Sequence, residues 1–219
     1  VILSFVGRLQ RLLPEDSQSA ANEAGRIKVA ANEAASVTRQ LLAFSRQQVL
    51  RSVNCDLVDL VEEGVWLLGD VVATPEVSFE YIQDSKEELP VVLDKAQFHQ
   101  VLLNLAINAK DSLEGHGEIV IKTKKVEVGI SEAADLGLDI GDYASVSVVD
   151  NGTGIDSLNL EKIFEPFFTT KDVDEGNGFG LATCYGIIKQ SGGSIRVESE
   201  LGKGSDFEIL LPLVSGVEK

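Results

Sequence analysis

The chain has 219 residues, 44% of them hydrophobic, and 19 Lys and Arg against 35 Asp and Glu give it a net charge of −16. This is a globular composition, long enough for one sizeable core or two modest ones, and not that of a disordered chain. The acidic balance argues against a nucleic-acid partner, because affinity for a phosphate backbone rests on clustered Lys and Arg. The longest apolar runs, such as residues 101–106, are far below the roughly 18 residues of a membrane span, so no membrane contact is expected of this stretch. Cys55 and Cys184 stand far apart with no His or Cys at metal spacing. That fits a reducing, cytoplasmic compartment better than a disulfide or a structural zinc. There is no methionine, and an apolar pattern is already running at Val1-Ile2-Leu3. The sequence reads as a piece of a longer protein.

In chain order, the first fifty residues carry no strand signal. Ile2, Phe5, Val6, Leu9, Leu12 and Leu13 fall at helical spacing, as do Ile27, Ala31, Ala34, Val37, Leu41 and Phe44. Pro14-Glu15-Asp16-Ser17 between them is a stop followed by cap-type residues. Residues 1–52 thus read as a helical hairpin with a short first arm. Its apolar stripes need cover, either from a second copy in a dimeric four-helix bundle or from the rest of the chain.

Residues 53–219 read as a second domain that mixes helices and strands. Helices are expected over 57–68, from a cap at Asp94 to about Leu113, and over 179–190. Strands are expected over 77–82, 118–128, 143–149, 194–199 and 206–211. Strands following one another late in the chain indicate an α+β sandwich, one mixed sheet with helices on one face.

Three places in this half carry chemistry. Asn104 and Asn108 lie four apart on an otherwise apolar helix, with Asp111 three further on. Buried amides need partners. This stripe suits either a hard cation such as Mg²⁺ or hydrogen bonds to loop backbone. Lys110, two residues from Asn108, points away from it. Next, a strand runs directly into Asp150-Asn151-Gly152-Thr153-Gly154-Ile155. An aspartate there is an acceptor-only group at a fixed place, fit for an exocyclic amine, although the glycines also fit an ordinary turn. Finally, Gly176, Gly178 and Gly180 precede a helix and can cradle an anion with backbone N–H groups. Between the two glycine motifs, Phe164, Phe167 and Phe168 followed by Thr-Thr-Lys171 read as a lid with an apolar anchor, or simply as core.

The order Asn104-x-x-x-Asn108, Asp150-x-Gly152-x-Gly154, Phe164-Glu-Pro-Phe-Phe-Thr-Thr-Lys171 and Gly176-x-Gly178-x-Gly180-Leu181 resembles the N, G1, F and G2 boxes of sensor histidine kinases. These belong to a superfamily with gyrase, Hsp90 and MutL ATPases. Thr38 to Arg46 also resembles the second helix of that family's dimerisation and phosphotransfer hairpin. The resemblance implies an ATP-dependent histidine kinase core of the histidine kinase/Hsp90/gyrase ATPase fold, a homodimer, and a response-regulator receiver domain as partner. It implies that Asn108, helped by Asn104, binds Mg²⁺, and that Asp150 reads the adenine amine beside Gly152, Gly154 and Ile155. Lys171 and the backbone of Gly176, Gly178, Gly180 and Leu181 would hold the phosphates. Ser205 stands near the adenine pocket, where the family more often has threonine.

Two departures follow. Where the family often has Lys or Arg, three residues after the second asparagine, this chain has Asp111, so either Lys110 or Asp111 meets the phosphates. The phosphoacceptor histidine is absent, since neither His99 nor His116 occupies its place, and it is expected upstream of Val1. Two other readings remain, an ATP hydrolase and a nucleotide-binding scaffold. The hydrolase needs a glutamate base where Asn104 stands.

Overall fold

The computed structural model describes residues 27, 51–85, 87–170 and 178–214. The chain divides into two compact units, Val1–Gln48 and Val49–Lys219. In the first, Ile27 is described as helical and exposed. The expected hairpin, with Phe5, Leu9, Leu41 and Phe44, otherwise lies outside the described residues.

The second unit runs β1 (Val53–Asp56), α1 (Leu57–Val72), β2 (Val77–Gln83), β3 (Pro90–Leu93), α2 (Lys95–Ser112), β4 (Gly117–Val128), α3 (Ile130–Leu136), β5 (Gly141–Asp150), α4 (Gly180–Gln190), β6 (Ser194–Glu200) and β7 (Gly204–Pro212). Five strands form one mixed sheet in the order β2-β4-β5-β7-β6. Only β2 and β4 pair in parallel.

Strand alternation decides the faces. Ile119, Ile121, Val146, Val148, Phe207 and Ile209 share one face by register and are buried. Against that face pack α1, α2 and α4, in one continuous core. Helix α2 begins where its aspartate cap dictates: Asp94 Oδ1 accepts from the N–H groups of Ala96 (3.1 Å) and Gln97 (3.2 Å). Along its length Phe98, Val101, Leu102, Leu105, Ala106 and Ala109 are buried, each large side chain contributing roughly 1.5–3 kcal/mol.

Three elements depart from the expected single sheet with helices on one face. The four-residue strands β1 and β3 make a separate antiparallel pair. Asp56 fastens it, its Oδ1 accepting from Val58 N, which caps α1, and from Leu89 N. The third is α3, bounded by Gly129 and by Gly137 in the left-handed conformation. It packs through Ala133 on Val128, Tyr143 and Leu210, in a small second cluster. By register Tyr143 and Leu210 lie on the opposite face from Val146 and Ile209. That face is largely polar and needs only a partial cover.

Several of its charges meet around Glu208. This buried carboxylate accepts from Ser145 Oγ (2.7 Å) and Arg196 Nε (2.6 Å) and lies 3.3 Å from Lys124 Nζ. Arg196 also bonds Glu132 of α3. Burial alone would raise the Glu208 pKa, but these bonds and cations outweigh it and hold the group below its ordinary value of 4.5. A folded pKa below the unfolded one adds stability that is present above about pH 4.5 and fades as pH falls through the folded value. Glu208→Gln should therefore lower the unfolding free energy at pH 7 by about 1–3 kcal/mol. The gap between wild type and variant in urea unfolding should narrow on acidification. A gap that stays constant with pH contradicts the paired-carboxylate account.

Candidate functional site

The site is assembled at the end of β5. Alternation puts Asp150 on the same face as Val148 and Val146, and the carboxylate is buried. Its Oδ1 accepts from Ser112 Oγ (2.9 Å), at the end of α2, and from the Gly152 N–H (2.9 Å). A third donor, the Ser205 backbone N–H on β7, also faces the carboxylate. Burial pushes the carboxyl above its usual range, and these three bonds pull it back in part.

The following loop meshes with its neighbours at backbone distance. A Cβ on Gly152 would lie 2.2 Å from Ser112 Oγ. One on Gly154, at φ +68°, would lie 2.1 Å from the Glu200 carbonyl oxygen. In this structure the two glycines are required by protein backbone. Ile155 is half-buried, and its N–H donates to Ser199 Oγ (2.8 Å). Ser199 Oγ also lies 2.8 Å from the Gly204 carbonyl and 3.1 Å from Ser205 Oγ, so Ile155 and Ser205 share one hydroxyl network.

One to two turns back along α2, Asn104 and Asn108 are half-buried and both face the first residue of α4. A Cβ on Gly180 would be 4.0 Å from Asn104 Cγ and from Asn108 Nδ2. Asn104 Nδ2 donates to the Gly180 carbonyl (3.3 Å). The N-terminus of α4 has no side-chain cap, because Phe179 occupies that position. Its first N–H groups lack intrahelical partners and are suited to an anion. Leu181 packs half-buried on the core. Cys184 lies 3.8 Å from the Val101 carbonyl, and burial pushes its thiol up to about 12, which makes it inert packing between α2 and α4.

The phenylalanine segment closes on itself. Phe167, in the left-handed conformation at φ +71°, donates its N–H to the Gly178 carbonyl (3.0 Å). Its ring meets that of Phe179 edge-on at 4.5 Å. Phe164 and Phe168 pack partly buried on the core while Phe167 is exposed, so the anchor is two phenylalanines. Lys171 and Gly176 lie outside the described residues.

Lys110 does point away from the asparagines, donating to the Val71 carbonyl at the end of α1 (2.6 Å). Asp111 is exposed. His99 Nε2 lies 3.2 Å from the Leu60 carbonyl, and His116 is exposed in the turn after α2. The sequence reading missed Ser112 and Ser199. No local pattern marks either, since their partners lie 38 and 44 residues away.

Residues 93–215 match the family described as histidine kinase-, DNA gyrase B- and HSP90-like ATPase. The chain belongs to that family. Among its relatives is the sensor kinase CckA of Brucella abortus (strain 2308), 47% identical over 189 residues, which are 85% of this chain and 20% of that protein. Solved relatives include the catalytic domain of histidine kinase ThkA, 30% identical, TM-score 0.60, covering 74% of this chain and 96% of that one. A complex of ThkA with the response regulator protein TrrA matches at 26% identity, TM-score 0.67, over 97% of this chain and 57% of that one. The chain spans less than half the length of the curated relatives it matches, from 18% to 43% among eight of them.

In this ATPase domain, Gly178 sits at φ +65°, and a Cβ there would fall 2.5 Å from the Phe167 carbonyl carbon. Gly178→Ala should open the clasp locally, at a cost of about 1–3 kcal/mol. Hydrogen exchange of the Phe167 amide should quicken about 5- to 150-fold, with β5 and α2 unchanged. Unaltered exchange at Phe167 contradicts the clasp.

Proposed function

We propose that residues 53–219 bind ATP with Mg²⁺ and donate its γ-phosphoryl group to a histidine of the intact protein, as the catalytic domain of a histidine kinase. The observation that carries this reading is the arrangement along α2. A buried acceptor, Asp150, lies at one end, and two amides facing an uncapped helix N-terminus lie one to two turns away. Asp150 would accept from the exocyclic amine of adenine, with Gly152, Gly154, Ile155 and Ser205 around the base. The N–H groups of Gly178, Gly180 and Leu181 would face the phosphates, joined by Lys171 and Gly176. Asp111, exposed on the last turn of α2, would sit at the phosphate edge.

The donor set fits Mg²⁺ held chiefly by phosphate oxygens and water. Asn104 and Asn108 bring side-chain amides to the start of α4, each with a carbonyl oxygen to offer, and Mg²⁺ commonly takes one or two protein oxygens beside substrate phosphates. When bound, the ion neutralises charge on the transferred phosphoryl group. Asn104 spends its N–H on Gly180 and carries no base, which favours a kinase over a hydrolase.

Neither histidine of this chain is the acceptor in this reading. His99 is engaged with the α1 backbone, and His116 lies in the turn beyond α2. The acceptor belongs to the hairpin of residues 1–52 as extended upstream, which would also form the homodimer. The ThkA complex with TrrA supports a receiver domain as the next acceptor. Two free buried cysteines suit the cytoplasm. Among the described residues, no helix is long and apolar enough to cross a membrane.

Replacing Asp150 by Asn puts donors where an acceptor stands and should weaken ATP binding by about 1–3 kcal/mol in calorimetry. Asn108→Ala should weaken binding only when Mg²⁺ is present. With γ-labelled ATP this chain should take up no acid-labile label, and the chain extended upstream should. Label on His99 or His116 contradicts the assignment, and ATP turnover without transfer returns the hydrolase reading.

A further inference from the structure

We propose that Ser112 is a positioning residue for base recognition, one that fills Asp150 Oδ1 so that a lone pair of Oδ2 remains for a 6-amino group. The inference rests on the adenine reading of Asp150 given above.

An ionised carboxylate offers about four lone-pair sites. Three donors face Asp150: Ser112 Oγ–H and Gly152 N–H, both on Oδ1, and Ser205 N–H. With both sites of Oδ1 taken by Ser112 and Gly152, the acceptor that remains for a ligand is on Oδ2. The donors are also what fix the plane of the carboxylate, because a buried group held by three bonds on three different elements cannot rotate without leaving donors unpaired.

Among the three, Ser112 is the one contributed by a side chain, and therefore the one that the sequence can tune without moving the backbone. Its position is fixed from both sides. Its carbonyl accepts from Thr153 N–H (3.0 Å), and Gly152 lies flush against it with no space for a Cβ. Its hydroxyl is also 2.7 Å from the Ala109 carbonyl, in the last turn of α2. One hydroxyl proton thus serves two acceptors, the unsatisfied helix end and the carboxylate. Because Asn104 and Asn108 lie on the same helix, this hydroxyl ties the element that presents them to the group that reads the base.

The test compares ATP with purine riboside triphosphate, which lacks the 6-amino group, for the wild-type chain and for Ser112→Ala. Ser112→Cys, nearly the same shape with a weak donor, serves as a second variant. Each is measured by calorimetry with Mg²⁺, alongside the unfolding midpoint. Wild type should bind ATP more tightly than the deamino analogue. Both variants should lose about 3- to 30-fold in ATP affinity, change less than about twofold for the analogue, and so close the gap between them. A merely structural role would weaken both ligands alike, and that result overturns the proposal. A wild type that does not distinguish the two ligands overturns the adenine reading of Asp150 itself, and Ser112 with it. A variant that keeps the full preference for ATP refutes Ser112 alone.

Discussion

The burial of one carboxylate organises this domain. Taking Asp150 out of water is costly unless its oxygens are met by donors. Those donors come from three separate elements: the end of α2, the loop after β5, and β7. Each must therefore end where it does. The loop is drawn so close that Gly152 touches Ser112 and Gly154 touches the β6–β7 turn. The same constraint orients α2 at its C-terminal end, while packing of Val101, Leu105 and Ala109 orients its length. Asn104 and Asn108 are placed as a consequence.

A carboxylate held in this way works against the stability of the fold at neutral pH, since burial raises its pKa. Sign considerations are opposite to those for Glu208, whose lowered pKa stabilises the sheet above the ordinary glutamate range. The two acids sit on opposite faces of the same sheet. One joins β5, β6 and β7 through Ser145 and Arg196; the other stays buried at some energetic cost, as groups at functional sites often do.

Much of the fold was legible because its signals are local. Asp94 announces α2, alternation in residues 118–128 and 143–149 announces β4 and β5, and the apolar face of α2 can be counted from the sequence. What escaped is short or non-local. Strands β1 and β3 have four residues each and pair only with one another. Helix α3 has seven residues, and its one clear signal, the flanking pair Gly129 and Gly137, resembles any loop punctuation. In the site, Asp150 and the asparagines stood out because polar groups in apolar surroundings are conspicuous. Ser112 and Ser199 are ordinary serines until the fold brings them to Asp150 and Ile155. The resemblance puts Gly152 and Gly154 beside the base, yet in the fold they are first of all room for Ser112 and Glu200. Lys171 and Gly176, like residues 1–26 and 28–50 of the expected hairpin, lie outside the described residues.

Whether Asp150 and the start of α4, joined by the C-terminal half of α2, form one nucleotide site is tested most directly by a titration followed by backbone and side-chain amide NMR. On adding a non-hydrolysable ATP analogue with Mg²⁺, the resonances of Gly152, Ile155, Gly180 and Leu181 should shift together. The side-chain amides of Asn104 and Asn108 should follow the same saturation curve, while those of β2 and α3 stay fixed. Shifts confined to Gly152 and Ile155 or to Gly180 and Leu181, or centred on the polar face around Glu208, would contradict the account.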